Sequence, residues 1–199
     1  MKTTRKPCRY FETLKGLMAA IEVTDRKGRR LDLDAGVSRA VELIRELAGA
    51  GGQLFFIGNG ASAAIASHQA SDFWKAGGIP TRAFNDPAML TSLGNDLGYE
   101  EIFARPLLDF ARPGDLLVAI SSSGRSVNIR RAVQAARRRG CLVLTLSGFK
   151  PANPLRGQGD LNFYVPAESY GPVEVCHHAI CHCLLDTLVK GGRKTAGRG

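Results

Sequence analysis

Four side chains have the types and spacing of an ion-binding or acid–base set. His68 and Asp72 stand four apart in residues 62–76, which read as a helix, so both lie on one face, about 40° apart. A histidine and a carboxylate at that spacing can share one metal ion. Glu174 and His182 stand eight apart in a second predicted helix over 172–189, with His178 between them. Spacing alone fits ordinary polar helix surface equally well. Two short loops add weight. Gly58-Asn59-Gly60-Ala61-Ser62 follows the apolar run QLFFI, and Ser121-Ser122-Ser123-Gly124-Arg125-Ser126 follows LLVAI. Glycines let backbone approach a ligand closely, and a helix start offers free N–H groups to an anion. Serine hydroxyls add donors, so the pair of loops reads as a phosphate cradle. No Lys follows the glycines as in a P-loop, and G-x-G-x-x-G is absent, which argues against a dinucleotide.

The elements that must position these residues alternate. Short continuous apolar runs at 53–58, 115–121, 141–147 and 160–166, with a weaker one at 79–84, read as strands covered on both faces. Predicted helices at 62–76, 100–111, 126–139 and 172–189 separate them. Such alternation means an α/β domain with a mostly parallel sheet, whose ligands sit at the carboxyl ends of the strands. Residues 9–23 and 35–49 read as amphipathic helices joined by a polar turn at 25–30. The first belongs to an appended N-terminal helical arm whose apolar stripe needs a partner.

Composition narrows the classes. The chain has 199 residues and a net charge of +9, enough length for one domain with its own core. Lys2, Arg5, Lys6 and Arg9 carry four of those charges, and Lys190, Arg193, Lys194 and Arg198 four more. The body between them is nearly neutral, so the charge reads as solvated ends rather than a nucleic-acid surface. Arg137-Arg138-Arg139 closes a predicted helix, where cations suit the dipole. No apolar run is long enough to span a membrane, and the basic start lacks the apolar core of a signal peptide. The 5 cysteines are odd in number and fit a reducing cytoplasm better than a disulfide framework.

GNGAS (58–62), SLGND (92–96), FARP (103–106), RPGDLLVAISSSGRSVN (112–128) and the CHHAICHCLLD helix together resemble the sugar isomerase (SIS) domain family, and within it the phosphoheptose isomerases. The resemblance implies a three-layer αβα sandwich around a five-stranded parallel sheet. It gives a helical arm over 1–34, the SIS domain over 35–190 and a flexible basic tail over 191–199. It implies an aldose–ketose isomerase that converts sedoheptulose 7-phosphate to D-glycero-D-manno-heptose 7-phosphate through an enediol. It also implies one zinc ion (Zn2+) per subunit and a cytoplasmic homotetramer with active sites shared between subunits. The alternatives are a non-catalytic phosphosugar-binding regulator and an isomerase of another sugar phosphate.

Residue by residue, the resemblance puts the phosphate on Ser62, Ser121, Ser123 and Ser126, with Asn59, Gly60 and Ser122 lining the pocket. Asn95 and Asp96 would face the substrate from a loop, although turn-making explains them equally well. The metal ligands would be His68, Asp72, Glu174 and His182, with Asp72 as base and His182 as acid. Glu174 would also reach the substrate. Two positions depart from the family: Asp72 stands where its members carry Glu, and Glu174 where they carry Gln. The shorter Asp72 changes the reach of the base by roughly an ångström. A second register sets Glu174 one place along and brings Cys181 opposite the second histidine; the first keeps both His177 and His182 in matched places. Residues 176–183 cannot form a separate zinc site on one continuous helix, because their side chains point all round it. Their cysteines read as core, in a stripe with Ile180, Leu184 and Thr187. Trp74 also reads as core, and Tyr170 as a weak sugar contact.

Overall fold

The computed structural model describes residues 7–192. The basic residues before Pro7, and the tail expected over 191–199 beyond Gly192, lie outside the described residues. The helices are α1 (Pro7–Ala19), α2 (Leu33–Gly49), α3 (Ala61–Lys75), α4 (Pro87–Asp96), α5 (Ala104–Phe110), α6 (Val127–Arg138) and α7 (Tyr170–Gly192). The strands are β1 (Glu22–Asp25), β2 (Arg30–Leu31), β3 (Leu54–Ile57), β4 (Thr81–Ala83), β5 (Leu116–Ser121), β6 (Leu142–Gly148) and β7 (Leu161–Val165). They form one sheet in the order β2-β1-β7-β6-β5-β3-β4. The five strands β3 to β7 are mutually parallel, the parallel sheet anticipated from the apolar runs. The strand count differs, because β1 and β2 add an antiparallel hairpin on the free edge of β7.

The three layers follow from strand alternation. Every residue of β3, β5 and β7 is buried. Leu54, Phe56, Leu116, Val118 and Ile120 face one core, shared with α2, α3 and α7. Phe55, Ile57, Leu117 and Ala119 face the other, shared with α5 and α6. Side chains alternate across a strand, so a continuous apolar run feeds two cores at once, each large side chain contributing about 1.5–3 kcal/mol. Helix α6 shows the matching pattern, burying Ile129, Ala132, Val133 and Ala136 and carrying Arg137 and Arg138 in its last turn. The Asp115 carboxylate, itself buried, accepts from the N–H groups of Gln53 and Arg112 at 2.7 and 2.8 Å and so aligns the starts of β3 and β5.

Three expectations change. The arm is not purely helical: α1 stops at Ala19 and the chain turns extended, where Val23 is buried. The edge of β7 offers unpaired backbone groups, and Glu22–Asp25 satisfy them in register with Leu161–Tyr164. The polar stretch is the hairpin's turn, with the Asp25 carboxylate accepting from the N–H groups of Lys27 and Arg29. Residues 100–111 are not one helix, because a 3-10 turn at Tyr99–Glu101 precedes α5. Asn95 and Asp96 end helix α4 rather than sit in a loop, with Asp86 capping its start and Pro87 in its first turn.

Candidate functional site

The two loops at the ends of β3 and β5 meet. The carboxamides of Asn59 and Asn128 clasp each other, Asn59 Nδ2 donating at 3.0 Å and Asn128 Nδ2 donating back at 2.8 Å. The Tyr99 hydroxyl donates to Asn59 as well. This ties the start of α3 to the start of α6. Gly58 is compelled: a Cβ there would stand 2.6 Å from the carbonyl of Ser62. Gly124, at φ 65°, is compelled twice, since a Cβ would stand 1.7 Å from the side-chain oxygen of Asn153. Asn153 in turn donates to the carbonyls of Ser122 and Gly148 at 2.9 and 2.8 Å, locking the serine loop onto β6. Sequence reading missed Asn153, whose sole signal was an Asn-Pro turn.

Between the loops lies a cavity of about 120 Å³ lined by Asn59, Ser62, Ser121, Ser122, Ser123, Ser126, Tyr170 and Glu174. Gly60 has no side chain to cap α3, and Ser126 makes no capping bond on α6; the N–H groups of Ser62, Ala63 and Ile129 are bonded internally, and the remaining first-turn N–H groups are open to a ligand. The Ser122 hydroxyl is buried and has no partner. The predicted serines and Asn59 therefore converge, and Gly60 stands at the head of α3. Burial raises the pKa of Glu174. A larger cavity of about 500 Å³ adjoins this one, sharing Ser123 and Tyr170 and flanked by Arg125 and Lys150.

Helices α3 and α7 both start at this cavity, run away from it and pack together, and a cluster of imidazoles lies between them. His68 Nε2 stands 2.9 Å from Asp72 Oδ2, and His178 Nε2 lies 3.1 Å from His182 Nε2. The His68 ring meets those of His178 and His182 edge-on. One nitrogen from each of the three lies within 4.8 Å of the others. These donors fit a borderline dication such as zinc, which takes imidazole nitrogen. The pKa of His178 is lowered by burial first and then by the neighbouring His182 and His68, against a smaller upward pull from Asp72; a neutral imidazole is the form that binds metal.

Not every expected residue joins. Glu174 lines the serine cavity and is outside the imidazole group. Asn95 and Asp96 are exposed and bond to each other at 2.8 Å. His177 points to the sheet: it is buried, contacts the Ser147 carbonyl through Nε2, and burial lowers its pKa to about 4. Cys176 and Cys181 are core as expected, but Cys183 is exposed, because it faces away from the α3 side of α7. Trp74 is 64% exposed and not core. His178 is the residue that sequence reading passed over; its signal was its place one turn from both Glu174 and His182.

The SIS domain family model matches residues 9–148. A phosphoheptose isomerase from Trichlorobacter lovleyi is 34% identical over 166 residues, covering 80% of this chain and 84% of that protein. The structure of a phosphoheptose isomerase from Francisella tularensis superposes with a TM-score of 0.81 at 27% identity, covering 96% of this chain and 100% of the other. That of the Neisseria gonorrhoeae enzyme gives 0.80 at 26%, covering 92% and 96%. With a family-model match over more than half its length, a relative aligned over four fifths of the chain and the same fold, this chain belongs to the SIS domain family.

Proposed function

We propose that the protein is an aldose–ketose isomerase that converts sedoheptulose 7-phosphate to D-glycero-D-manno-heptose 7-phosphate. The carrying observation is the separation of grip from chemistry. The serine cavity lies at the start of α7, and His182 stands eight residues beyond Glu174, roughly 12 Å along the helix axis. Such a site suits a substrate whose reacting carbons stand several bonds from its phosphate. The names of the aligned relatives point to the same class.

The cavity holds the phosphate on serine hydroxyls and the N-termini of α3 and α6. Asp72 takes the proton from C1 of the ketose, and the electron pair forms the C1–C2 double bond. His182 gives a proton to the carbonyl oxygen, completing an enediol. In the second half His182 recovers a proton from the C1 hydroxyl and Asp72 returns one to C2. A bound zinc ion, drawn to the His68, Asp72, Glu174 and His182 set that the resemblance carries over, would polarise the substrate oxygens. Of that set, His68 and His182 converge, Asp72 touches His68 and Glu174 stands apart.

A homotetramer with shared sites is part of this reading. It would cover Phe11 of α1 and Trp74 of α3, which stand 69% and 64% exposed. The free cysteines, Cys8 and Cys183 exposed among them, support a reducing cytoplasm.

The test is an NMR time course of the zinc-loaded protein with sedoheptulose 7-phosphate in deuterated water. Expected is an aldoheptose 7-phosphate carrying deuterium at C2, and loss of turnover with retained phosphate binding in Asp72→Asn. Phosphate binding without product or deuterium would replace the isomerase by a phosphosugar-binding module; unchanged turnover in Asp72→Asn would end the assignment of the base.

A further inference from the structure

We propose that His178 is a metal ligand, so that this chain holds its ion on the three imidazoles of His68, His178 and His182, and that Glu174 is not in the set. The inference rests on the ion-binding part of the function proposed above and replaces the ligand set transferred by resemblance.

Position along α7 decides between the two residues. His178 is one turn from His182, and Glu174 is two turns away, roughly 6 and 12 Å of axial rise. The Glu174 side chain is turned to the serine cavity, while the His178 ring packs against both His68 and His182, with centroids at 5.0 and 4.6 Å. The 3.1 Å between the Nε2 atoms of His178 and His182 is close to the edge between two nitrogen ligands of a tetrahedral zinc, roughly 3.3 Å for bonds of about 2.05 Å. One donor atom from each of the three imidazoles falls within a 4.8 Å span, a group that no carboxylate joins. Asp72, against the His68 ring, stands where a carboxylate orients a ligating histidine. His177 takes no part, because it faces the Ser147 carbonyl.

Two consequences separate this set from one built on two carboxylates. Three imidazoles favour zinc, cobalt, nickel or copper over magnesium or manganese. Glu174 is left to the cavity that takes the substrate.

Cobalt(II) titration of the full chain without sugar, read by visible absorption, tests the assignment. The wild-type protein should bind one cobalt per chain with a tetrahedral spectrum that excess magnesium leaves unchanged. His178→Gln should weaken binding by at least about tenfold, and Glu174→Ala, which removes any ligand atom there, should leave the affinity unchanged. His178→Cys should restore binding and add a near-ultraviolet thiolate-to-cobalt charge-transfer band, which a merely structural role would not produce. Weak binding in Glu174→Ala with normal binding in His178→Gln would overturn the inference while leaving the ion in place. No binding of cobalt or zinc by a wild-type protein that still isomerises the sugar would remove the ion itself, and the ligand set with it.

Discussion

His177 and His178 are adjacent and serve opposite ends of the molecule's chemistry. His177 is buried, with Nε2 on the Ser147 carbonyl and Nδ1 unpartnered, and its pKa falls from 6.5 to about 4. Between those values the unfolded chain binds a proton that the folded chain refuses. Stability is therefore complete above about pH 6.5 and falls by roughly 3 kcal/mol as pH drops toward 4. Urea midpoints across that range should show a shallower acid loss in His177→Gln than in the wild type. Residue types at the ends of strands were enough to nominate the serine loop, because a run of hydroxyls after a buried strand has few structural uses. The histidines were harder. A turn-by-turn stripe of Glu174, His178 and His182 gives three residues one direction, and only the placement of α3 decides which of them meet His68.

At the scale of elements, the serine loop keeps its shape through Gly124 and Asn153. Gly124→Ala would add a left-handed backbone cost of about 1–2 kcal/mol and drive a Cβ to 1.7 Å from the Asn153 oxygen. Gly60→Ala meets nothing within 4 Å, but at φ 56° and ψ −124° it lies outside the left-handed well and should cost a backbone term of its own, roughly 1–3 kcal/mol. Calorimetric titration with a sugar phosphate should therefore find binding damaged more by the first change than by the second, with a larger drop in melting temperature. Four of the five parallel strands were legible as continuous apolar runs, α2 and α6 by their strong apolar periodicity, and α3 and α7 by the alternation of strand and helix. The hairpin β1–β2 was not, because Ile21 continues the apolar count of α1 and only the free edge of β7 draws Glu22–Asp25 into the sheet. Helix α4 hid because Asn95 and Asp96 read as turn residues, and here they end ten residues of helix.

For the whole molecule, the exposed aromatics of α1 and α3 argue for assembly. Light scattering should give four times the 21.4 kDa chain mass, and Phe11→Glu with Trp74→Glu should lower it. A mass of one chain in the wild type would end the shared-site reading. No helix among the described residues is long and apolar enough to cross a membrane. The hairpin also redraws the boundary of the folding unit. Val23 packs into the same core as Leu161 and Phe163, and a Cβ on Gly36 of α2 would stand 2.6 Å from the Val23 side chain. Glu22 takes guanidinium partners from both sides of that seam, Arg30 at 2.8 Å and Arg156 at 2.6 Å. A chain begun at residue 35 would keep every residue of the proposed site and still bare the flank of β7, a strand buried along its whole length, an open template for the next molecule's backbone. The N-terminal segment is thus a selvedge: it finishes the woven edge so that the sheet neither frays nor seams itself to its neighbours.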